Sequence, residues 1–429
     1  MKKRRLRKGF KVLLLIFFLI ILLLIFINVF DSSNDIKNDD INYVDVVYEK
    51  LDGVSKDFLN WVNVNYEGSL EKLDKLLVDG YDESYWHDVT GYSYIVLNDL
   101  YNNRYDKMDN IKIVDSDESG TISIVGDVSL ADNWYIAPKY DEGGISRILS
   151  SDMLNIMKNS DVMIVNSEFT VSNRGNKIPN KMYTFRAKPE RLSIYDEMGV
   201  DLVTLANNHV YDYGSDAFND MLDAFDNYNI PHIGAGHNKE EASKPYYFVV
   251  NGYKIAFVNA NRSEKVILTP GATDDSEGVF RCYDPTDMVN LIKSLRDSTD
   301  YIIAIIHYGR ENSHELESEQ VSSSKLYIDA GADVVVGHHA HTLQGIEFYN
   351  HKPIIYNLGN FLFNDQEIET ALFKVVINDG VLEYYMVPAL QKNEFTDILS
   401  GSRGLDVLND ITSYSVNAYI DEDGKIMEK

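Results

Sequence analysis

The apolar positions of this chain fall into three regimes. Over 12–30 they run almost unbroken, Leu, Ile, Phe and Val interrupted only by Asn28. A helix over that stretch spans about 28 Å, close to the roughly 30 Å hydrocarbon core of a bilayer, so the pattern predicts one membrane crossing. Residues 31–115 are sparser. The first ten are mostly Asp, Asn and Ser and can bury little; further on, Leu70, Leu73, Leu76 and Leu77 share one helix face, and Tyr92, Tyr94, Ile95, Leu97 and Leu100 suggest a second short element. We expect a tether and a small accessory region here. From 120 to 390 the third regime sets in, with short apolar runs at 122–125, 162–165, 202–205, 255–258, 302–306, 334–336 and 354–356. Between them, Phe218, Met221, Leu222 and Phe225, and again Met288, Leu291, Ile292 and Leu295 behind Asp284 and Pro285, keep helical spacing. Such alternation predicts a layered α/β sandwich with buried strands. Over 391–429 a helix through Leu405, Val407, Leu408 and Ile411 and a strand at Tyr419 and Ile420 make a short C-terminal appendage.

Charge sharpens this division. The formal net charge is -27, from 40 Lys and Arg against 67 Asp and Glu. Residues 1–11 hold Lys2, Lys3, Arg4, Arg5, Arg7, Lys8 and Lys11 and no acid, so only 33 of the 40 basic groups face all 67 acids in the rest of the chain. A basic flank before an apolar span stays cytoplasmic, which sends residue 31 onward outside the cell. No small-residue cleavage site follows the span, so an uncleaved single-pass anchor in the cell membrane is expected. So acidic an exterior repels nucleic acid. The single Cys282 excludes an intrachain disulfide scaffold.

The chemistry gathers where apolar runs end. The first run leads into Gly126 and Asp127, the second into Asn166, Ser167 and Glu168, and the third into Asn207, Asn208 and His209. The run at 302–306 ends in His307, with Glu311 close behind, and the run at 334–336 leads to His338, His339 and His341. In α/β sheets, ligands bind outside the carboxyl ends of strands, so these groups should converge. Carboxylates, imidazoles and an amide oxygen together suit one or two divalent ions such as Mn, Fe or Zn.

These residues, with Asp212, Gly214 and the 356–361 segment that includes Asn357 and Asn360, resemble the CapA family of capsule biosynthesis proteins over 120–390. That family belongs to poly-gamma-glutamate synthesis and is similar in fold to calcineurin-like metallophosphoesterases. The resemblance implies metal ligands in Asp127, Glu168, Asn208, His307, His339 and His341, with Glu168 in the bridging place. It implies a catalytic role for His209, with Asp212 orienting His209 and Glu311 orienting His307. Two features depart from ordinary metallophosphoesterases: Ser129 stands where a His ligand is usual, and the bridging Asp is a Glu.

For substrate, the segment from Arg174 to Arg191 holds Arg174, Lys177, Lys181, Arg186, Lys188 and Arg191 against Glu190 alone. This basic island in an acidic chain is expected to guide a polyanion, with Arg186 and Lys188 as binding residues. Three readings stay open: a metal-dependent hydrolase acting on an anionic envelope polymer such as poly-gamma-glutamate, a non-catalytic holder within a capsule synthesis and export complex, and a general extracellular phosphoesterase. No GxxxxGK[ST] loop is present, so nucleotide activation falls to other subunits.

Overall fold

The computed structural model describes residues 41–116, 119–264 and 268–429. The expected crossing at 12–30 and its basic flank lie outside them. Among the described residues no helix is long and apolar enough to cross a membrane.

The described residues divide between Asp82 and Glu83 into two compact units. In the first, helices Tyr43–Lys50, Lys56–Asn65 and Ser69–Leu76 bury Val44, Val47, Phe58, Leu59, Val62, Leu70 and Leu73. Asn42 and Ser55 cap the first two by accepting from the N–H groups of Val44 and Phe58.

The boundary between units falls well upstream of 115. Residues 83–115 join the larger unit because helix Tyr94–Tyr101 carries Asp99, whose buried carboxylate meets the equally buried Lys254 at 2.7 Å. Strand Ile111–Val114 then pairs in parallel with Tyr246–Val250.

Two large sheets build the larger unit. One has seven strands, and at its centre Tyr253–Asn261, Tyr301–His307 and Val334–His338 run parallel. In the other, Gly120–Val128, Val162–Ser167 and Leu202–Thr204 run parallel, continued by the long antiparallel pair Ile368–Asn378 and Val381–Lys392. Alternation along each strand decides the layering. Ile122, Ile124, Val162 and Ile164 pack with Ile255, Phe257, Ile303, Ile305, Val334 and Val336 in one core between the sheets. Their neighbours face outward on both sides. Val125, Met163 and Val165 meet Met153, Tyr195, Phe218 and Met221 from helices, while Ala256, Val258, Ile302 and Val335 meet Met288, Ile292 and Tyr327. The result is the expected layered α/β fold, four layers deep: helices, sheet, sheet, helices.

The expected appendage is part of these layers. Strands Ala418–Ile420 and Lys425–Glu428 extend the second sheet, and helix Gly401–Ser413 places Val407, Leu408 and Ile411 in the core between the sheets. The helices predicted around Phe218 and Met288 form as Ser215–Asn227 and Thr286–Leu295.

Candidate metal centre

The parallel strands of both sheets end on the same side, and their last residues meet there. Asp127 lies in Gly120–Val128, Glu168 directly follows Val162–Ser167, and His307 closes Tyr301–His307. His339 and His341 follow Val334–His338 in left-handed backbone, at φ of 92° and 57°, which swings both rings back over the strand ends. Two ligand sets result, Asp127 with Glu168 and His307, and Glu168 with His339 and His341, each with donor atoms within 4.8 Å of one another. Glu168 belongs to both. From its Oε1, the Nε2 atoms of His307, His341 and His209 lie at 3.6, 3.8 and 3.9 Å.

Hydrogen bonds hold the donors in place. Asn166 donates to Asp127 Oδ1 at 2.8 Å, and Asn208 Oδ1 lies 2.7 Å from His307 Nε2. Asn207 fixes the Asn208–His209 turn by donating to the Ser167 carbonyl and accepting from the His209 N–H. Asn360 Oδ1 sits 2.7 Å from His341 Nδ1. The His209 Nδ1–H donates to Asp212 Oδ2 at 2.8 Å, and the same oxygen accepts the Phe185 N–H at 2.7 Å. The other Asp212 oxygen meets Lys181 Nζ at 2.7 Å, and Lys181 also donates to the Asn208 carbonyl.

Glu168 decides whether these residues fit a divalent ion. It is fully buried, and among the described residues neither carboxylate oxygen has a hydrogen-bond partner. Burial first, and then the charge of Asp127, raise its carboxyl well above the ordinary value of 4.5. A buried carboxylate without donors needs a cation. The imidazoles suit one: burial and the neighbouring histidines hold His307 well below its ordinary value, and burial pushes His339 down to about 3, so both are neutral donors. Burial would also depress His341, but its contact with Asp127, 3.3 Å away, outweighs that and raises it. The donor set fits a divalent ion.

A profile of the family described as "Bacterial capsule synthesis protein PGA_cap" matches residues 121–365. The chain belongs to the PGA_cap family. Similar proteins include the capsule biosynthesis protein CapA of Bacillus anthracis, 29% identical over 58% of this chain and 60% of that protein. The PGA biosynthesis protein CapA of Bacillus subtilis is 28% identical over 72% of this chain and 82% of its own length. The chain thus spans less than two thirds of the first of these relatives. Among solved structures, a hypothetical protein from Thermus thermophilus superposes with a TM-score of 0.40 at 15% identity, covering 64% of this chain and 99% of that one. A 5'-nucleotidase from Candida albicans reaches 0.32 at 11% identity, over 64% of this chain and 53% of its own. Likenesses this slight carry no argument about fold or chemistry.

The PGA_cap segment contains every residue that sequence reasoning assigned to the site. Asp127, Glu168, Asn208, His209, Asp212, His307, His339 and His341 are brought together. Glu311 is not placed as expected: it is exposed, and His307 instead turns its ring nitrogens toward Asn166, at 3.4 Å, and Asn208. His338 points away, its Nε2–H donating to the Val125 carbonyl at 2.9 Å. Asn360, part of the resemblance, and Lys181, one of the six island cations, have a place at the centre that the sequence did not assign them. Asn360 could have been found as the amide that opens the strand Asn360–Leu362; Lys181 carries no local signal, since its carboxylate partner Asp212 comes from another loop. A cavity of about 640 Å³, lined by Asp226, His232 and Glu241 among others, touches none of these residues.

Proton release follows from these shifts. Without metal, Glu168 and His341 hold protons above their ordinary values, whereas His307 and His339 are already neutral. Titration calorimetry with Mn near pH 7, in two buffers of different ionisation enthalpy, should therefore register net proton release on binding. Affinity should still be rising well above about pH 6.5, the midpoint of an unperturbed histidine. Zero release would mean that Glu168 is already ionised without metal.

Proposed function

We propose that this chain is a membrane-anchored extracellular protein of capsule or poly-gamma-glutamate synthesis whose metal centre hydrolyses an anionic envelope polymer. The observation that carries the reading is the convergence of Asp127, His307, His339 and His341 on Glu168, a buried carboxylate with no hydrogen-bond partner among the described residues. The names of the two Bacillus relatives, a capsule and a PGA biosynthesis protein, support the polymer.

When bound, a divalent ion supplies Lewis-acid polarisation of the carbonyl or phosphoryl oxygen under attack. The chain's own groups do the rest. His209 keeps a proton on Nδ1 toward Asp212 and presents Nε2 to the centre, in position to pass a proton to or from a leaving group. Asp212, fixed by the Phe185 N–H and Lys181, holds that ring orientation. The rings of Phe185 and Phe363 lie 4.5 Å from His209 and 4.7 Å from His341 and exclude water from that side.

The test is turnover of γ-linked glutamate polymer, read as chain length, by the Mn- or Zn-loaded full chain. His209→Ala should retain metal and lose turnover by about a hundredfold or more. One observation favours the holder role. Ser129 is buried, its hydroxyl has no partner, and no imidazole stands there, so the Asp127 side is one ligand short of the usual arrangement. Bound metal and bound polymer with no shortening of the chain would establish that second reading over the first.

A further inference from the structure

The six cations between Arg174 and Arg191 separate into two groups once their partners are known. Arg174 is paired with Asp220, Lys181 with Asp212, and Arg191 with Asp132 and Asp141. Lys177, Arg186 and Lys188 have no carboxylate partner among the described residues. All three line one groove of about 350 Å³, together with Asp132, Asn133, Ser172, Asn173 and Tyr213. Its one acid is already engaged: Asp132 accepts from Arg191 Nε and from the Lys188 N–H, each at 2.7 Å. In a chain of net charge -27, the groove presents three cations against one carboxylate, and that carboxylate is paired with Arg191.

The backbone that presents them is fixed. Gly175, at φ +81°, lies against Ala217 so closely that an added Cβ would stand 2.9 Å from the Ala217 Cβ. The Ile178 N–H, next to Lys177, donates to the Asp212 carbonyl at 2.9 Å. The Arg186 guanidinium lies 4.2 Å from the Tyr213 ring centroid and donates to the carbonyls of Arg174 and Gly175. These anchors reach the metal centre directly, since Asp212 orients His209 and Phe185 precedes Arg186 in the chain.

We propose that this groove seats successive free α-carboxylates of a poly-gamma-glutamate strand beside the metal centre, a step that rests on the function proposed above. Separate single cations match a polymer with one negative charge per repeat. Lys177 and Lys188 supply the mobile contacts, and Arg186, flattened on Tyr213, supplies a fixed one. A polyphosphate carries a similar linear charge, and the experiment separates the two.

Fluorescence anisotropy with a labelled γ-linked glutamate oligomer measures binding to the full chain at about 50 and about 300 mM salt. Lys177→Gln/Lys188→Gln should weaken binding about tenfold at low salt, with the gap narrowing at high salt and metal content unchanged. Lys107→Gln/Lys293→Gln removes the same charge elsewhere and should stay within about twofold of wild type. Equal binding by wild type and the groove variant, or equal loss in both variants, overturns the groove and leaves the polymer reading intact. A wild-type chain that binds polyphosphate but no glutamate oligomer overturns both.

Discussion

Glu168→Gln should strip the chain of divalent metal and, in metal-free buffer, make it more stable. The first effect follows from Glu168 sitting in both ligand sets, so that one substitution weakens either site. A lost outer-shell partner costs about 10- to 100-fold in metal affinity, and a shared ligand should exceed the upper end of that range. The second effect comes from the sign of the Glu168 shift. Its folded-state value lies well above 4.5, so without metal the group adds no penalty below about pH 4.5 and a growing one as pH rises toward the folded value. The Glu168→Gln change keeps the shape and removes the charge. The metal-free variant should therefore gain about 1–3 kcal/mol at neutral pH, with the gain vanishing in acid. Metal analysis with thermal melts at pH 4.5 and 7.5 measures both. Full metal content in the variant would sink the shared-ligand assignment; a destabilised metal-free variant would mean that Glu168 has partners in the folded chain.

Much of this site was legible in the sequence because strand ends are where the apolar pattern breaks. Asp127, Glu168, Asn208, His209 and His307 each stand at or just beyond such a break, and a parallel strand order brings such ends together. Other features could not be read that way. Period-2 alternation says that Ile124 and Ile303 each have a buried face, but not that they face each other across two separate sheets. The choice of His339 and His341 over His338 depends on left-handed backbone after a strand, which nothing in three histidines announces. The basic island reads as six equal charges because Asp220, Asp212, Asp132 and Asp141, which pair with three of them, lie 31 to 59 residues away. The residues from Glu83 to 115 looked like accessory material because their tie to the larger unit, Asp99 to Lys254, spans 155 positions.

Gly126→Ala should be among the most damaging single-methyl changes in the chain. Gly126 precedes Asp127, and its α-carbon faces the loop that carries Asn360 to His341. A Cβ there would intrude on the Gly359 carbonyl oxygen, with the carbonyl carbon at 2.9 Å and the Leu358 oxygen at 3.1 Å. The loop has little room to retreat. Gly359 is held by the Asp127 N–H on its oxygen at 2.9 Å and by its own N–H on Asn357 Oδ1, also at 2.9 Å. Thr370 donates to the Leu358 carbonyl at 2.7 Å. The cost is therefore steric rather than conformational, and overpacking against fixed backbone costs about 2–4 kcal/mol. Gly401→Ala separates the two effects. Gly401 has φ +62° with nothing within 4 Å of an added Cβ, so that variant should lose only about 1 kcal/mol, from backbone strain alone. Because displacing Gly359 also moves the Asp127 N–H and the Asn360 partner of His341, Gly126→Ala should lose metal affinity as well as stability, whereas Gly401→Ala should keep its metal. Denaturant melts with and without Mn give both quantities, and a Gly126→Ala chain as stable and as well metallated as wild type would mean that the 357–361 loop does not close over the centre.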